Sequence, residues 1–487
     1  MTTKGAGAVA ISAWELSSPA PVRVPGAWPL LGHAPALLRD PLGFLAAAYR
    51  AGELVSMRLG PKSAFLVNGS DPIRRILVHD AGRYDKGFQF DHLRVLIGDG
   101  VGTTADAAKH RRQRRLLRPA FDHARVERYV AVTAQTAEAA VRRWRGLRRI
   151  DVGAEMRALT MTVIARSLFD AGARSGPDAG PDAGPDTSPD GGGGAGPDPR
   201  AVREVLATLP VLLGGIGRRA LLPIPALDRM PTPGNVAFEH ARARLHAFAD
   251  QMVAERRAAA AGGAVPTTRC LLDDVLAAVD DEGCGMTDAQ AHDEIMTVLL
   301  AGTETTAGTL AWLLHVLAGD PALQLEVQRE ADAVLGGRAP TAADLGDLEF
   351  TRRVATEVLR LYPAGWILGR RPFEDVEIAG VTVPAGSQVL LNFYGLHRDA
   401  RVYADPDRFD PGRWQDGVTG PPRPYLLPFG LGPHACLGEG FAMSQVLVTA
   451  AVVASRCTVR PVPGTVVRPV ARTTLHPGVV PLNVEER

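Results

Sequence analysis

Apolar residues recur along this chain mainly with a helical period, and strand-type patterning is confined to two short regions. Leu159 to Phe169 (LTMTVIARSLF) is apolar enough for a core helix, and Ala201 to Leu213 and Asn235 to Arg257 repeat the helical spacing. Residues 174–199 interrupt that rhythm with SGPDAGPDAGPDTSPDGGGGAGPDP, which has almost no apolar side chains to bury. That composition predicts a disordered Pro/Gly/Asp-rich insertion joining two helices, a solvated linker with no function of its own. Strand signals fall at Leu54 to Val67 and Val376 to Leu391, the second punctuated by Ala379-Gly380 and Pro384-Ala385-Gly386. The pattern predicts a mainly α protein with a small β region.

The longest apolar helix is also the most informative. Thr287 and Gln290 form a capping box, and the apolar run from Ile295 continues to about Ala318. Asp320-Pro321 then starts another helix, which Gly336-Gly337 closes. In the middle of the long run stands Ala301-Gly302-Thr303-Glu304-Thr305-Thr306, where propensity alone would place Leu or Ala. Local rules broken inside an element point to a site. Gly302 leaves room for a ligand, and the Thr305 hydroxyl can bond the Ala301 carbonyl one turn back and loosen the helix. An acid next to an alcohol, Glu304 and Thr305, can relay protons. A spanning helix with a tolerated Glu304, or a polar helix-packing patch, are the competing readings.

Composition narrows the class. At 487 residues, 46% hydrophobic and 22% charged, the chain can enclose a large core and a buried cofactor, and one large domain over 1–487 is expected. With 54 basic against 53 acidic residues, no global field favours nucleic acid as a partner. Four cysteines, Cys270, Cys284, Cys436 and Cys457, are too scattered for a disulfide framework and suit a reducing cytoplasm. Met1 to Ala20 lacks the uninterrupted apolar core of a signal peptide or spanning helix, so no membrane anchor is expected there.

One cysteine stands apart. Pro428 to Gly440 reads PFGLGPHACLGEG and runs into the apolar stretch Phe441 to Ala454, placing Cys436 in a glycine-rich loop at a helix N-terminus. The N–H groups of Leu437 and Gly438 and the positive helix end should lower its pKa, as a permanent metal ligand requires. Gly430, Gly432 and Gly438 let such a loop turn tightly against a flat macrocycle, and His434 can hydrogen-bond an anion at its edge. An isolated cysteine is more often an ordinary buried thiol. Phe429, three glycines, His434 and Cys436 at fixed offsets outweigh that reading. Zinc fails because no second Cys or His stands at ligand spacing, whereas haem supplies four nitrogens and needs one protein donor.

The run F-G-x-G-x-H-x-C-x-G resembles the signature loop of the cytochrome P450 family. The resemblance implies a mostly helical fold with a small sheet region, haem b held by the Cys436 thiolate, and dioxygen as cosubstrate bound above the iron beside Ala301 and Gly302. It also implies the acid–alcohol role of Glu304 and Thr305. Glu357 and Arg360, three apart in TRRVATEVLRLYP, would join Arg413 of Phe409-Asp410-Pro411-Gly412-Arg413-Trp414 in a structural network, although an isolated pair at that spacing is usually a solvated bridge. His110 and Arg114, one helical turn apart, match family positions that reach a haem propionate. Arg370 is a third candidate, with neighbouring Arg371 nearly as eligible. Arg111, Arg112, Arg115 and Arg118 read either as a docking face for an acidic electron donor or as a solvated basic face. Trp28-Pro29-Leu30-Leu31-Gly32 resembles the family's N-terminal segment, so only the 174–199 tract departs from the pattern.

No G-x-G-x-x-G follows a strand and no cysteines cluster, so electrons are expected from NAD(P)H through a separate ferredoxin and ferredoxin reductase. The expected pocket lining is apolar: Phe88, Phe90 and Leu93 in the loop before the basic helix, Val298 and Ala301, and Ile367 and Leu368. It suits a terpene, fatty acyl or macrolide-like molecule. The segment YDKGFQFDHLRVLIGDGVGTT (84–104) resembles bacterial terpene hydroxylases, favouring a terpenoid. The expected reaction is oxygen insertion into a C–H bond, in the bacterial cytoplasm. The alternatives are a haem-thiolate peroxygenase or isomerase needing no electron donor, and a non-catalytic haem-binding carrier or sensor.

Overall fold

The protein was examined as a computed structural model that describes residues 21–60, 62–169, 204–205, 207–221, 230–263, 269–415 and 425–487. The expectations for Met1 to Ala20 and for the 174–199 insertion lie outside the described residues. Helices run in the order α1 Ala34–Arg39, α2 Pro41–Ala51, α3 Ser70–Arg74, α4 Phe88–Ile97, α5 Ala107–Leu117, α6 His123–Trp144, α7 Val152–Phe169 and α8 Leu209–Leu221. After these come α9 Pro233–Ala261, α10 Leu271–Ala277, α11 Asp288–Gly319, α12 Pro321–Leu335, α13 Glu349–Leu361, α14 Phe393–Leu396 and α15 Glu439–Arg456. Of the predicted 201–213 helix, the part from Leu209 onward forms α8, and Pro210 sits in its first turn, where no backbone donor is needed.

Both predicted strand regions are present, each split by its turn. β2 (Leu54–Leu59) and β3 (Lys62–Val67) pair antiparallel, and β3 pairs parallel to β9 (Gln388–Leu391). The sheet continues through β6 (Leu368–Pro372) to β4 (Tyr84–Asp85), with β1 (Val22–Arg23) at the far edge. Ala379 and Gly380, both at positive φ, turn β7 (Val376–Ile378) into β8 (Val381–Val383). Near the C-terminus, a two-stranded hairpin joins β11 (Val470–Ala471) to β12 (Leu475–His476). The architecture is mainly α with a small β region, as the apolar periodicity requires.

Helix α11, 32 residues long, is the central strut, and it packs against α7, α9, α13, α15 and the β12 hairpin. Its start follows from sequence: Thr287 Oγ1 accepts from Gln290 N at 3.2 Å while Gln290 Oε1 accepts from Thr287 N at 3.1 Å. Asp320 caps α12 by accepting from Ala322 N and Leu323 N, and Gly336 closes it at φ 55°. No helix among the described residues is long and apolar enough to cross a membrane, which removes the spanning reading of α11.

Gly302 has a different physical reason from the one expected. A Cβ there would stand 2.4 Å from Ile164 Cδ1, so the missing side chain lets α7 and α11 approach one another rather than clearing space for a ligand. One residue on, Thr160 Oγ1 of α7 donates to the Thr303 carbonyl at 3.1 Å. The helix also runs unbroken through this point, without the loosening expected from Thr305. Replacing Gly302 with Ala should therefore cost about 1–3 kcal/mol by overpacking. Urea unfolding should show this loss, and the double variant G302A/I164V, which removes the opposing methyl, should recover most of it.

Candidate active site

The cysteine loop is shaped by backbone closure. Gly430 (φ 72°) and Gly432 (φ 73°) occupy left-handed conformations, and a Cβ on Gly432 would meet the Leu77 carbonyl at 2.2 Å. Cys436 N donates to the Phe429 carbonyl at 2.8 Å, folding the loop back on its start, and Arg114 Nη1 braces it from α5 by donating to the Ala435 carbonyl at 2.6 Å. Gly438, at φ −88°, is the N-cap of α15. Neither its backbone nor its neighbours demand glycine, since a Cβ would meet nothing nearer than Cys436 Sγ at 3.9 Å. The space beside the sulfur is open.

Cys436 is solvent-accessible, yet burial is the largest influence on its thiol and pushes its pKa up. The expected depression of this thiol is thus corrected. The Gly438 N–H and Arg114 do favour the thiolate, but desolvation outweighs them, with Glu439 adding to it. Ala301 is exposed although it lies midway along a core helix, and Thr305, one turn later and half-buried, donates to its carbonyl at 2.7 Å. That face of α11 also opens onto free space.

Basic groups converge beside the loop. His434 lies against His110 with ring centroids 4.2 Å apart and Nδ1···Nε2 at 3.2 Å. Arg370 is 3% exposed, and its guanidinium donates to its neighbour Gly369's carbonyl at 2.8 Å. The choice between it and Arg371 is decided by geometry, since Arg371 is held by Asp85 and Asp91. Lys86, which sequence reasoning missed, is 6% exposed and donates to the Val101 carbonyl at 2.6 Å. The β4–β6 pairing and Gly87 (φ 75°), packed on the Arg370 backbone, bring Lys86 to this place. The only available signal was that lysine is rare here, with four in a chain whose other basic residues are arginine.

Lys86, His110, Arg114, Arg370 and His434 make their polar contacts to carbonyls and to each other, none to a carboxylate among the described residues. Burial first, then mutual repulsion, lowers Lys86 to about 7, His110 to about 4 and His434 to about 3; burial alone takes Arg370 to about 10. Such a cluster calls for anions. Together with a thiol facing open space, it fits a haem, whose edge carries two propionates.

The loop over this cluster is pinned to α11. Asp99 N donates to Asp293 at 2.9 Å, and Val101 N to both Glu294 oxygens at 2.9 and 3.0 Å. Gly98, Gly100 and Gly102 permit the approach, each of their would-be Cβ atoms falling within 3 Å of Asp293 or Thr297. Phe88, Phe90 and Leu93 lie on α4 itself rather than in a loop, because Gly87 starts that helix early. They are half-buried, as are Val298, Ile367 and Leu368, and α4 packs against both α11 and β6.

Glu357 and Arg360 form no surface bridge. Both are 0% exposed, joined at 2.8 and 2.9 Å, and Arg360 also donates to the carbonyls of His397, Pro406 and Arg408. Arg413 Nε at 3.3 Å, Trp414 Nε1 at 3.0 Å and Asp410 N at 3.0 Å complete the carboxylate's partners. On α5, Arg112 pairs with Asp280 and Arg115 with Asp281, so only part of the expected basic face, Arg111 and Arg118, stays exposed without a paired carboxylate.

Comparison with known proteins agrees with this geometry. A family model described as Cytochrome P450 matches residues 22–483. The chain is 38% identical over 465 residues to a cyclooctat-9-en-7-ol 5-monooxygenase of Streptomyces melanosporofaciens, covering 95% of each chain. It is 38% identical over 466 residues to a cyclooctatin synthase of the same organism, with the same coverage. A pentalenene oxygenase of Streptomyces avermitilis is 33% identical over 467 residues, 95% of this chain and 97% of that one.

Two outcomes follow from the site's charges. Glu357→Ala leaves Arg360 buried and unpaired, so it should lose about 3–5 kcal/mol in chemical denaturation, with poor recovery of folded protein. Lys86→Met keeps the side chain's volume but removes the charge. Haem transfer to an excess of apomyoglobin should then run about tenfold faster or more, the value of one charged hydrogen bond.

Proposed function

The chain belongs to the cytochrome P450 family, a family of haem-thiolate monooxygenases, and we propose that Cys436 is its iron ligand and that its substrate is a cyclic terpenoid. The observation that carries the site assignment is the Cys436 thiol, accessible yet desolvated in the signature loop, beside five basic groups that lack a carboxylate partner. Residues 22–483 act as one catalytic domain. When bound, the haem would supply the iron at which dioxygen is activated, and the Cys436 thiolate would supply the charge that favours O–O cleavage.

The chain's own residues do the rest. Lys86, His110, Arg114, Arg370 and His434 would hold the propionates and so fix the ring's orientation. Phe429, Gly430 and Gly438 would let the loop's backbone lie close against the ring face. Inserting one oxygen atom into a C–H bond and reducing the other to water consumes two electrons and two protons. Thr305 lies on the open face of α11 with its hydroxyl donating to the Ala301 carbonyl; turned from that carbonyl it would pass a proton to the reacting space, and Glu304, its neighbour, would resupply it. Burial raises the Glu304 pKa above the usual carboxylate range, which favours a group that can hold and pass on a proton.

The relatives' names specify a cyclooctat-9-en-7-ol and pentalenene, and coverage of about the whole of each chain supports a similar substrate here. Phe88, Phe90, Leu93, Val298, Ile367 and Leu368 would enclose it by shape, excluding water from the reacting carbon. Electrons come from NAD(P)H through a ferredoxin reductase and ferredoxin, with exposed Arg111 and Arg118 available for an acidic donor. Its place in the bacterial cytoplasm is supported by four cysteines that are all free.

The test is a carbon monoxide difference spectrum of the reduced protein, which should show thiolate ligation and lose it in Cys436→Ala. Substrate screening by spectral displacement of water from ferric iron then ranks cyclic terpenoids against fatty acids. In Thr305→Ala, product per NADPH should fall about tenfold while NADPH consumption continues; an unchanged yield removes the relay from the mechanism.

A further inference from the structure

The open face of α11 continues into a buried aromatic pair. Ala301, Thr305 and Trp312 follow one another at spacings of four and seven, so they lie along one side of the helix. Trp312 stands about two turns, or about 10 Å along the axis, beyond Thr305. It is 1% exposed, and its indole lies flat on the Tyr362 ring, with centroids 3.9 Å apart and planes 7° from parallel. Tyr362 ends α13, its N–H donating to the Val358 carbonyl at 2.7 Å. From there the chain runs through Pro363 to Ile367 and Leu368, so both rings are anchored on elements that border the candidate site.

Packing alone gives little reason for these two residue types. A stacked aromatic pair contributes about 0.5–1.5 kcal/mol. Trp312 Nε1, however, is buried with no hydrogen-bond partner among the described residues, which costs about 1–3 kcal/mol. His315, edge-on at 5.8 Å, does not relieve it, and its own Nδ1 lacks a partner as well. What indole and phenol offer beyond phenylalanine is the ease with which they lose an electron. This is the one tryptophan–tyrosine ring contact among the described residues. Tyr362 is half-buried, so the pair leads from a sealed ring to one that water reaches. Past it, Arg398 donates to the Leu361 carbonyl at 2.6 Å and lies 3.9 Å over the Tyr394 ring. A guanidinium in that place opposes a positive charge on Tyr394, so Tyr362 ends the path.

We propose that Trp312 and Tyr362 are an electron-donating pair that drains an oxidising equivalent from the site when dioxygen has been activated and no C–H bond is presented. Trp312 gives one electron to the site and becomes a radical cation, keeping its N–H proton because no acceptor is in reach. Tyr362 then returns one electron to the indole and releases its O–H proton to water, leaving a neutral phenoxyl radical. A soluble thiol repairs that radical by giving up a hydrogen atom. The indole is unchanged at the end, and one electron and one proton have left the phenol. This rests on the reading of the chain as a monooxygenase with haem on Cys436, and it gives a protective function to residues outside the substrate and proton machinery.

The test mixes the haem-loaded, substrate-free protein with hydrogen peroxide and freeze-quenches it for electron paramagnetic resonance. Wild-type protein should show a tyrosyl signal that narrows when ring-deuterated tyrosine is incorporated. Tyr362→Phe, which removes only a hydroxyl, should lose that signal and show an indolyl one in its place. Trp312→Phe should lower the radical yield about tenfold, the effect of about 1.4 kcal/mol on a transfer barrier. In both variants haem bleaching by peroxide should quicken about threefold or more, while product per NADPH at saturating substrate stays within about twofold. Tyr362→Phe carries the test even where Trp312→Phe fails to fold. A tyrosyl signal that survives in Tyr362→Phe, an unchanged yield and bleaching rate in Trp312→Phe, or no protein radical in the wild type would overturn the proposal. If the reduced protein gives no thiolate-type carbon monoxide spectrum, the Cys436 reading fails instead.

Discussion

A desolvated cluster of positive charge governs this protein. Lys86, His110, Arg114, Arg370 and His434 are drawn from α5, the sheet and the cysteine loop, and in the protein alone their charges face carbonyls and one another. Burial drives their proton affinities down, and the same desolvation drives the Cys436 thiol up. An isolated fold therefore carries a cost that one ligand relieves: a ring with two carboxylates at its edge and a cation at its centre. Folding and haem binding should be coupled, because the groups proposed to hold the cofactor are least comfortable without it.

Around that cluster the architecture is set by close approach. Gly302 admits Ile164, Gly432 admits the Leu77 carbonyl, and Gly87 admits the Arg370 backbone. Each allows a close approach, closest where Gly432 meets the Leu77 backbone, and each joins parts of the chain far apart in sequence. Helix α11 takes part in the first of these contacts, and its open face at Ala301 and Thr305, its packed face at Gly302 and its polar face at Glu304 serve different neighbours. The Glu357–Arg360 pair does comparable work behind the cysteine loop, where a fully buried carboxylate organises Arg413, Trp414 and the Asp410 amide.

What could be read in advance depended on the range of the interaction. Helix starts at Thr287 and Asp320, the strand pairs with their turns, and the cysteine loop's glycines are local, set by backbone conformation within a few residues, so they were legible. The Glu357–Arg360 contact was also legible from spacing, but its burial was not, because exposure depends on what packs over a helix rather than on the helix. Lys86 escaped notice because a single lysine between Asp85 and Gly87 has no local pattern; it matters only through the pairing of β4 with β6.

The amino-acid order by itself determined the family and singled out the cysteine loop and the Glu304–Thr305 pair, since these are short patterns whose chemistry lies in adjacent residues. Only tertiary structure decided which of Arg370 and Arg371 turns inward, why Gly302 is glycine, that the thiol is raised rather than lowered, and that Trp312 lies flat on Tyr362. The physical reason is common to all four. Desolvation and steric contact are properties of neighbours in space, and those neighbours come from segments that no local period connects.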